Sequence, residues 1–181
     1  MSLYSEAHLL QEAMLEVVFR LRAKEDSFHW LNFFQISKLD LGESSLGSEQ
    51  YKDELWKSHC FEFFFTVDPR GESYFEVNFS PQGLWAFYSF EKYRCRRDSA
   101  VRPNSLKTRM ISVDPGSFDV YLQLDVASIL MEKKEIYVAP TAILSFPNGN
   151  EFWALEHASE KPDFHNFKSK MIQLSKSNEG G

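Results

Sequence analysis

Cysteine is scarce in this chain of 181 residues, and because only Cys60 and Cys95 are present, a disulfide framework is not its source of stability. Acidic residues outnumber basic ones, 26 to 20, and the net charge of −6 excludes a chain built as a whole to bind nucleic acid. No apolar run is long enough to span a bilayer. The length suffices to bury a sizeable core. We expect one domain, 1–181, with its core at about 10–175 and a disordered tail at 176–181.

Targeting and catalytic motifs are also missing. Met1 to Arg20 has no basic stretch followed by an apolar one, so no secretory signal is visible and we expect a cytoplasmic protein. Met1-Ser2-Leu3 is also compatible with a vector-derived extension that replaces a native leader. No nucleophile elbow, P-loop, dinucleotide fingerprint or HExxH helix occurs. We therefore expect a protein that is not an enzyme, with neither a nucleic acid nor a membrane as its partner.

Aromatic residues, by contrast, are abundant: 17 Phe, 7 Tyr and 4 Trp make up 15% of the chain. They favour half-buried pleated surfaces and also serve as stacking platforms for sugars, bases and haem. Most of the chain alternates with period 2, which predicts an all-β protein, a two-layer antiparallel sandwich of about nine strands. We predict a short helix at 127–134 and a long basic loop at 91–115. The predicted strands are 14–22, 29–36, 60–66, 74–80, 84–90, 118–125, 136–146 (an edge strand or broken at Pro140), 151–156 and 168–175.

Two neighbouring strands predict a polar surface. In CFEFFF (60–65) and YFEVNFS (74–80) residues two apart share a face, so the Phe-rich faces meet in the core. Carboxylates and an amide beside aromatic rings suit a sugar, because the rings stack on its apolar face and the acceptors bind its hydroxyls. The alternative is that these positions are the solvated outer face of an antiparallel sheet. The polar face carries Glu62, Tyr74, Glu76 and Asn78.

A second cluster follows near the end of the chain. Pro162 fixes an extended backbone, so Asp163 and His165 point to one side, as a metal-ligand pair or as a histidine polarised by a carboxylate. Glu156 and His157 are unconvincing as further ligands, and a structural loop is the alternative.

Two other features point to weaker hypotheses. The basic stretch at 92–109 suits phosphate or an anionic sugar, with a solvated loop as the preferred alternative. Glu62 and Glu76 would serve as acid and base if the protein were an enzyme, although only their shared face supports that role.

Four segments carry a family resemblance: LWKSHCFE (55–62), YFEVNFSPQGLWA (74–86), FWALEH (152–157) and KPDFH (161–165). They resemble bacterial DOMON-like proteins, which are related in fold to the family 9 carbohydrate-binding modules. The resemblance covers about 10–175 and implies a jelly-roll-like sandwich of nine to eleven strands. Relatives bind haem or sugars in a pocket on the sandwich, and the sugar binders clamp a saccharide between Trp rings.

The resemblance implies a non-catalytic domain that binds a saccharide or a sugar-containing metabolite. A haem-binding domain, an enzyme acting on a sugar derivative and a structural or interaction protein are the alternatives. No cofactor is expected, although calcium and haem stay open, and the oligomeric state is not predicted. Stacking is expected on Trp56, Trp85 or Trp153, with selection of an anionic group by Lys161 or Arg94. The remaining candidate ligand-binding residues are Glu62, Glu76, Asn78, Asp163 and His165.

Overall fold

The computed structural model describes residues 2–10, 13–22, 51–80, 83–98, 103, 106–114, 117–168 and 170–175. In this part of the chain 11 strands form two antiparallel sheets. The predicted all-β, two-layer architecture is therefore confirmed. In chain order the strands are β1 (Ser2–Leu9), β2 (Met14–Arg22), β3 (Cys60–Thr66), β4 (Tyr74–Phe79), β5 (Trp85–Lys92), β6 (Cys95–Arg97), β7 (Leu106–Asp114), β8 (Ser117–Asp125), β9 (Glu135–Phe146), β10 (Gly149–Ala154) and β11 (Ile172–Ser175).

The two sheets differ in size. The smaller has the order β1-β2-β8-β7, and the larger has the order β10-β9-β3-β4-β5-β6, with β11 also pairing with β9. The predicted short helix, α1, is confirmed but spans only Ala127–Leu130. Met131, with φ 48°, leaves the helical conformation and ends α1 after one turn.

The inter-sheet core follows from the alternation in β3 and β4. The Phe-rich face of β3 lies in the core as predicted, together with one face of β4. The smaller sheet supplies the opposing aliphatic side chains from β2 and β8, and Phe19 of β2 contacts Phe61 with their rings 5.2 Å apart. Core side chains from these four strands include Leu15, Val17, Phe19, Leu21, Phe61, Phe63, Phe65, Val77, Phe79, Val120, Leu122 and Leu124.

The outer face of the larger sheet is covered as well. The segments at 51–58 and 155–171 pack over it and form a second apolar cluster, in which Phe64 of β3 stacks on Phe167 at 5.4 Å. Residues predicted as solvated in the alternative interpretation are therefore buried: Glu62, Glu76 and Asn78 have exposed fractions of 3%, 4% and 0%. That alternative is wrong, because antiparallel alternation alone does not reveal which segment covers a face.

The prediction of a long basic loop at 91–115 is also wrong. Residues 95–97 form β6, which follows β5 through a tight turn in which Arg94 has φ 53°. Residues 106–114 form β7, paired with β8. Both strands lie at sheet edges, where charged residues are common because they discourage further pairing, and this charge obscured the alternation.

Pro140 does not break or displace its strand, contrary to the prediction. β9 is a continuous strand of 12 residues that pairs with β3 along one side. On its other side β10 pairs up to Thr141 and β11 begins at Val138. Pro140 lies in the gap between these two partners, where a missing backbone N–H interrupts neither pairing.

Other predictions had mixed outcomes. The strands predicted at 14–22, 60–66 and 118–125 are confirmed, whereas the last strand is shorter than predicted and β1 was missed. The strand predicted at 29–36 and the tail at 176–181 lie outside the described residues. Within the described part, no helix is both long and apolar enough to traverse a membrane.

Removing a ring from the inter-sheet core tests the central role of β3. Phe63 is fully buried, so Phe63→Ala should lower the free energy of unfolding by about 3–5 kcal/mol, measured by urea denaturation. Tyr4→Ala, at a side chain that is 65% exposed, is the control and should change it by less than about 0.5 kcal/mol. Equal effects of the two substitutions would contradict the assignment of the core.

Candidate functional site

A pocket of about 340 Å³ opens on the outer face of the larger sheet. Strands β3, β4 and β5 provide its floor, and the covering segments at 51–58 and 155–171 provide part of its walls. Aromatic rings and carboxyl groups therefore meet in one concave site, as is typical of small-molecule pockets. The aromatic lining residues are Trp56, Phe64, Phe90, Phe152 and Phe164, and the ionisable ones are Glu62, Glu76, Arg94, Arg96 and His165.

The carboxyl groups of Glu62 and Glu76 lie at the floor because of the register between β3 and β4. Glu62 pairs with Asn78 across the strands, and Phe64 pairs with Glu76. The Asn78 amide nitrogen donates to Glu76 Oε1 at 2.8 Å, and Thr141 Oγ1 donates to Glu62 Oε2 at 3.5 Å. The predicted grouping of Glu62, Glu76 and Asn78 on one face is thus present.

Burial changes the protonation of both carboxyl groups. Burial, reinforced by the nearby charge of Glu76, raises the pKa of Glu62 well above its usual range. Burial also raises the pKa of Glu76 to about 7, and the hydrogen bond from Asn78 only partly opposes this rise. Burial therefore favours the protonated form of Glu62, whereas Glu76 titrates near neutral pH.

His165 connects the covering segment to the floor. The Tyr74 hydroxyl lies 2.7 Å from His165 Nδ1 and accepts a hydrogen bond from the Arg94 backbone N–H at 3.1 Å. The other ring nitrogen, Nε2, lies 3.9 Å from Glu76 Oε2. Burial, followed by the charge of Arg94, lowers the pKa of His165 to about 4. The contact with Glu76 is therefore not an ion pair at neutral pH.

The two arginines of the pocket already have acidic partners. Arg94 Nη2 donates to Asp163 Oδ1 at 2.8 Å, and the Tyr93 hydroxyl donates to Asp163 Oδ2 at 2.7 Å. Although burial opposes it, these hydrogen bonds lower the pKa of Asp163. Arg96 lies 3.6 Å from Asp53 Oδ2, and its guanidinium carbon is 4.0 Å from the centre of the Tyr88 ring.

Five predicted ligand residues do not line the pocket. Two of them, Asn78 and Asp163, instead bind the lining residues Glu76 and Arg94. The other three are Trp85, Trp153 and Lys161. Trp85 and Trp153 pack against the inter-sheet core, on the opposite face of their strands. Lys161 is exposed, and its neighbour Pro162 lines the pocket instead. Phe152 takes the place predicted for Trp153, because adjacent residues of a strand point to opposite faces.

Several lining residues were missed at the sequence level. Phe64 and Phe90 share a face with the polar residues of β3 and β5, so the alternation already contained that signal. Arg96 lay in the stretch predicted as a loop. Phe164 reaches the pocket through the fold of the covering segment, for which no local pattern exists.

No group of three side chains that could hold a metal ion occurs within the described ranges. The residues considered as ligands have other contacts. Asp163 binds Arg94, and His165 binds Tyr74. Glu156 lies 3.2 Å from the Lys170 ammonium, and His157 Nε2 lies 3.1 Å from the Phe152 carbonyl oxygen.

The chain is similar in fold to a protein from Bacteroides uniformis ATCC 8492, whose crystal structure is described as that of a "putative carbohydrate-binding protein". The TM-score is 0.54 with 14% sequence identity, and the match covers 90% of this chain and 72% of that chain. At this identity the similarity concerns the fold alone. No family model matches the chain, and no match to a curated protein was found.

The raised pKa of Glu76 makes the stability depend on pH. Because the folded state holds this proton up to about pH 7, the contribution of Glu76 is present below its ordinary value of 4.5 and is lost as pH rises through about 7. His165 acts in the opposite direction over pH 4 to 6.5, since its pKa is lowered. Glu76→Gln should therefore gain stability relative to the unchanged protein, by on the order of 3 kcal/mol between pH 4.5 and 7.

Urea denaturation at several pH values measures this difference. It should rise with pH and level off above pH 7, while Glu72→Gln, at an exposed carboxylate, should show no such rise. A difference that falls with pH would show that Glu76 is stabilised in its charged form.

Proposed function

We propose that this protein binds a saccharide or a sugar-containing metabolite in the pocket on its larger sheet, without transforming it. The observation that carries the proposal is the joint presence of aromatic walls and a buried hydrogen-bonding floor in one cavity. A sugar ring has apolar C–H faces and polar hydroxyl edges, so it needs both kinds of surface. The fold similarity to a "putative carbohydrate-binding protein" supports the same class of ligand.

Two rings are suited to stacking. Phe152 is 40% exposed and lines the pocket from β10, and Trp56 lines it from the turn at Leu55–Lys57. The hydroxyls of a bound sugar would then meet Glu62 and Glu76 at the floor. A volume of about 340 Å³ is at the lower end for small-molecule sites, which favours one or two sugar rings over a long chain.

The polar residues support binding more than turnover. Glu76 is hydrogen-bonded to Asn78, and His165 is hydrogen-bonded to Tyr74. Both side chains therefore already take part in the contacts that stabilise the floor and the covering segment. His165 Nδ1 has a hydrogen-bond partner, and Nε2 faces Glu76, which disfavours haem ligation. Membership of the DOMON-like family, the jelly-roll topology and the cytoplasmic location stay predictions.

A matched pair of variants tests the site. Phe152→Ala removes a ring that lines the pocket, and Leu155→Ala removes a side chain of similar exposure, 37%, outside the lining. Calorimetric titration with a panel of mono- and disaccharides should find at least one ligand. Phe152→Ala should weaken its affinity roughly three- to tenfold, as expected for the loss of an aromatic contact, and Leu155→Ala should leave it unchanged.

Two kinds of result would contradict the proposed function. If no saccharide of the panel binds, or if both variants weaken binding equally, the proposed site is wrong. Turnover of activated glycosides that disappears in Glu62→Gln would instead establish the enzyme alternative.

A further inference from the structure

We propose that the saccharide bound by this pocket carries a primary amine, whose ammonium group lies at the floor beside Glu62. This inference rests on the proposed function and narrows the ligand class to the amino sugars. Three independent features of the pocket support it: a buried carboxyl oxygen without a donor, the charges around it, and the aromatic rings of the lining.

The first feature is an unpartnered carboxyl oxygen. Glu62 lines the pocket, and its buried Oε1 atom has no hydrogen-bond partner among the described residues. Asn78 Oδ1 is also unpartnered, but Asn78 is fully buried and does not line the pocket. A buried acceptor is costly without a donor, so Glu62 Oε1 requires a hydrogen atom.

The second feature is the distribution of charge. Arg94 and Arg96 are the described cations that line the pocket, and each is engaged by an aspartate, Asp163 or Asp53. His165 is neutral, because burial lowers its pKa to about 4. No salt bridge joins either floor carboxyl group to a lysine or arginine of the described residues, although the charges of Arg96 and Arg94 oppose the rise in the pKa of Glu76. In the empty pocket, Glu62 Oε1 can carry a proton. A bound ammonium can replace that proton and leave Glu62 ionised.

The third feature is the aromatic wall. Phe64 lies between the two carboxyl positions, on the same face of β3 as Glu62 and opposite Glu76 in register. Phe90 and Trp56 complete this side of the pocket. Ring faces attract a cation, and they also stack on the C–H face of a sugar. The same walls therefore suit both parts of an amino sugar.

An amine fits these features better than other sugar groups. A hydroxyl supplies one hydrogen and no charge, whereas an ammonium supplies three hydrogens together with the positive charge that an ionised Glu62 requires. A sugar carboxylate would place a third acidic group against Glu62 and Glu76, which is unfavourable.

Calorimetric titrations with paired sugars test this inference. D-glucosamine and D-galactosamine are compared with D-glucose and D-galactose at pH 7, in two buffers of different ionisation enthalpy. At least one amino sugar should bind about tenfold or more tightly than its neutral parent, as expected for a hydrogen bond to a charged group. Its binding should release protons into the buffer, because the ammonium displaces the proton of Glu62. The N-acetylated sugar should lose this preference, since its nitrogen is uncharged.

Variants locate the preference at the floor. Glu62→Gln keeps the size of the side chain but removes the acid, so it should lose the preference for the amine over the neutral parent, whatever its effect on the affinity for both sugars. Glu72→Gln removes an exposed carboxylate outside the pocket lining and should retain the preference. Circular dichroism verifies that each variant is folded. If Glu62→Gln does not fold, the comparison of amine, N-acetyl and hydroxyl sugars on the unchanged protein still decides.

The negative results of these titrations distinguish a failure of this inference from a failure of the proposed function. If the neutral sugars bind as tightly as the amino sugars, the inference is overturned and the proposed function stands. If the preference for the amine persists in Glu62→Gln, its placement beside Glu62 is wrong. If no sugar of either kind binds, the inference fails together with the proposed function.

Discussion

The burial of β3 and β4 on both faces is the constraint on which the rest of the structure depends. One face of each strand packs into the inter-sheet core, where Phe61, Phe63 and Phe65 meet the aliphatic side chains of the smaller sheet. The other face lies under the segments at 51–58 and 155–171. Every residue of β3 is buried in consequence. Any polar residue on the outer face must therefore find its partners inside the protein, and this requirement shapes the pocket.

The polar residues of that outer face meet this requirement only in part. A chain of contacts runs from Asn78 through Glu76 to His165 and Tyr74, and it ends at the backbone N–H of Arg94. It joins β4 to the turn after β5 and to the covering segment, so the polar contacts hold the cover in place. The floor beside Glu62 is left short of donors. Buried groups with shifted pKa values cluster at functional sites, because stability alone would favour apolar residues there.

Sequence alone predicted the parts of the fold that depend on local alternation. The faces of β3 and β4 were assigned correctly, including the common face of Glu62, Glu76 and Asn78, because the period of a strand is a property of the backbone. Strands β6 and β7 were missed because edge strands tolerate charge. The effect of Pro140 was predicted wrongly because it depends on which strands lie beside β9. Pro140 faces the gap between β10 and β11, two strands that the covering segment at 155–171 separates in the chain.

The candidate site was predictable to a smaller extent. Its floor follows from neighbouring strands, but its walls come from residues that are remote in sequence, such as Trp56 and Phe164. Trp85 and Trp153 were expected to stack on a ligand, and the structure turns both toward the inter-sheet core. The choice between a tryptophan and the phenylalanine beside it depends on which face of the strand is open, and this is settled only by tertiary contacts.

Strand β9 pairs with both β10 and β11 along the same side, and this arrangement affects how the shape of the pocket can vary. The covering segment leaves the sheet where Ala154 pairs with Thr141 and returns where Ile172 pairs with Val138. Its two ends are thus fixed about 10 Å apart along a single strand. Lengthening or shortening a loop of this kind costs little free energy, since closure entropy grows slowly with loop length. A change in the length of the segment at 155–171 would therefore reshape the walls of the pocket while the strands at its two ends stay paired with β9.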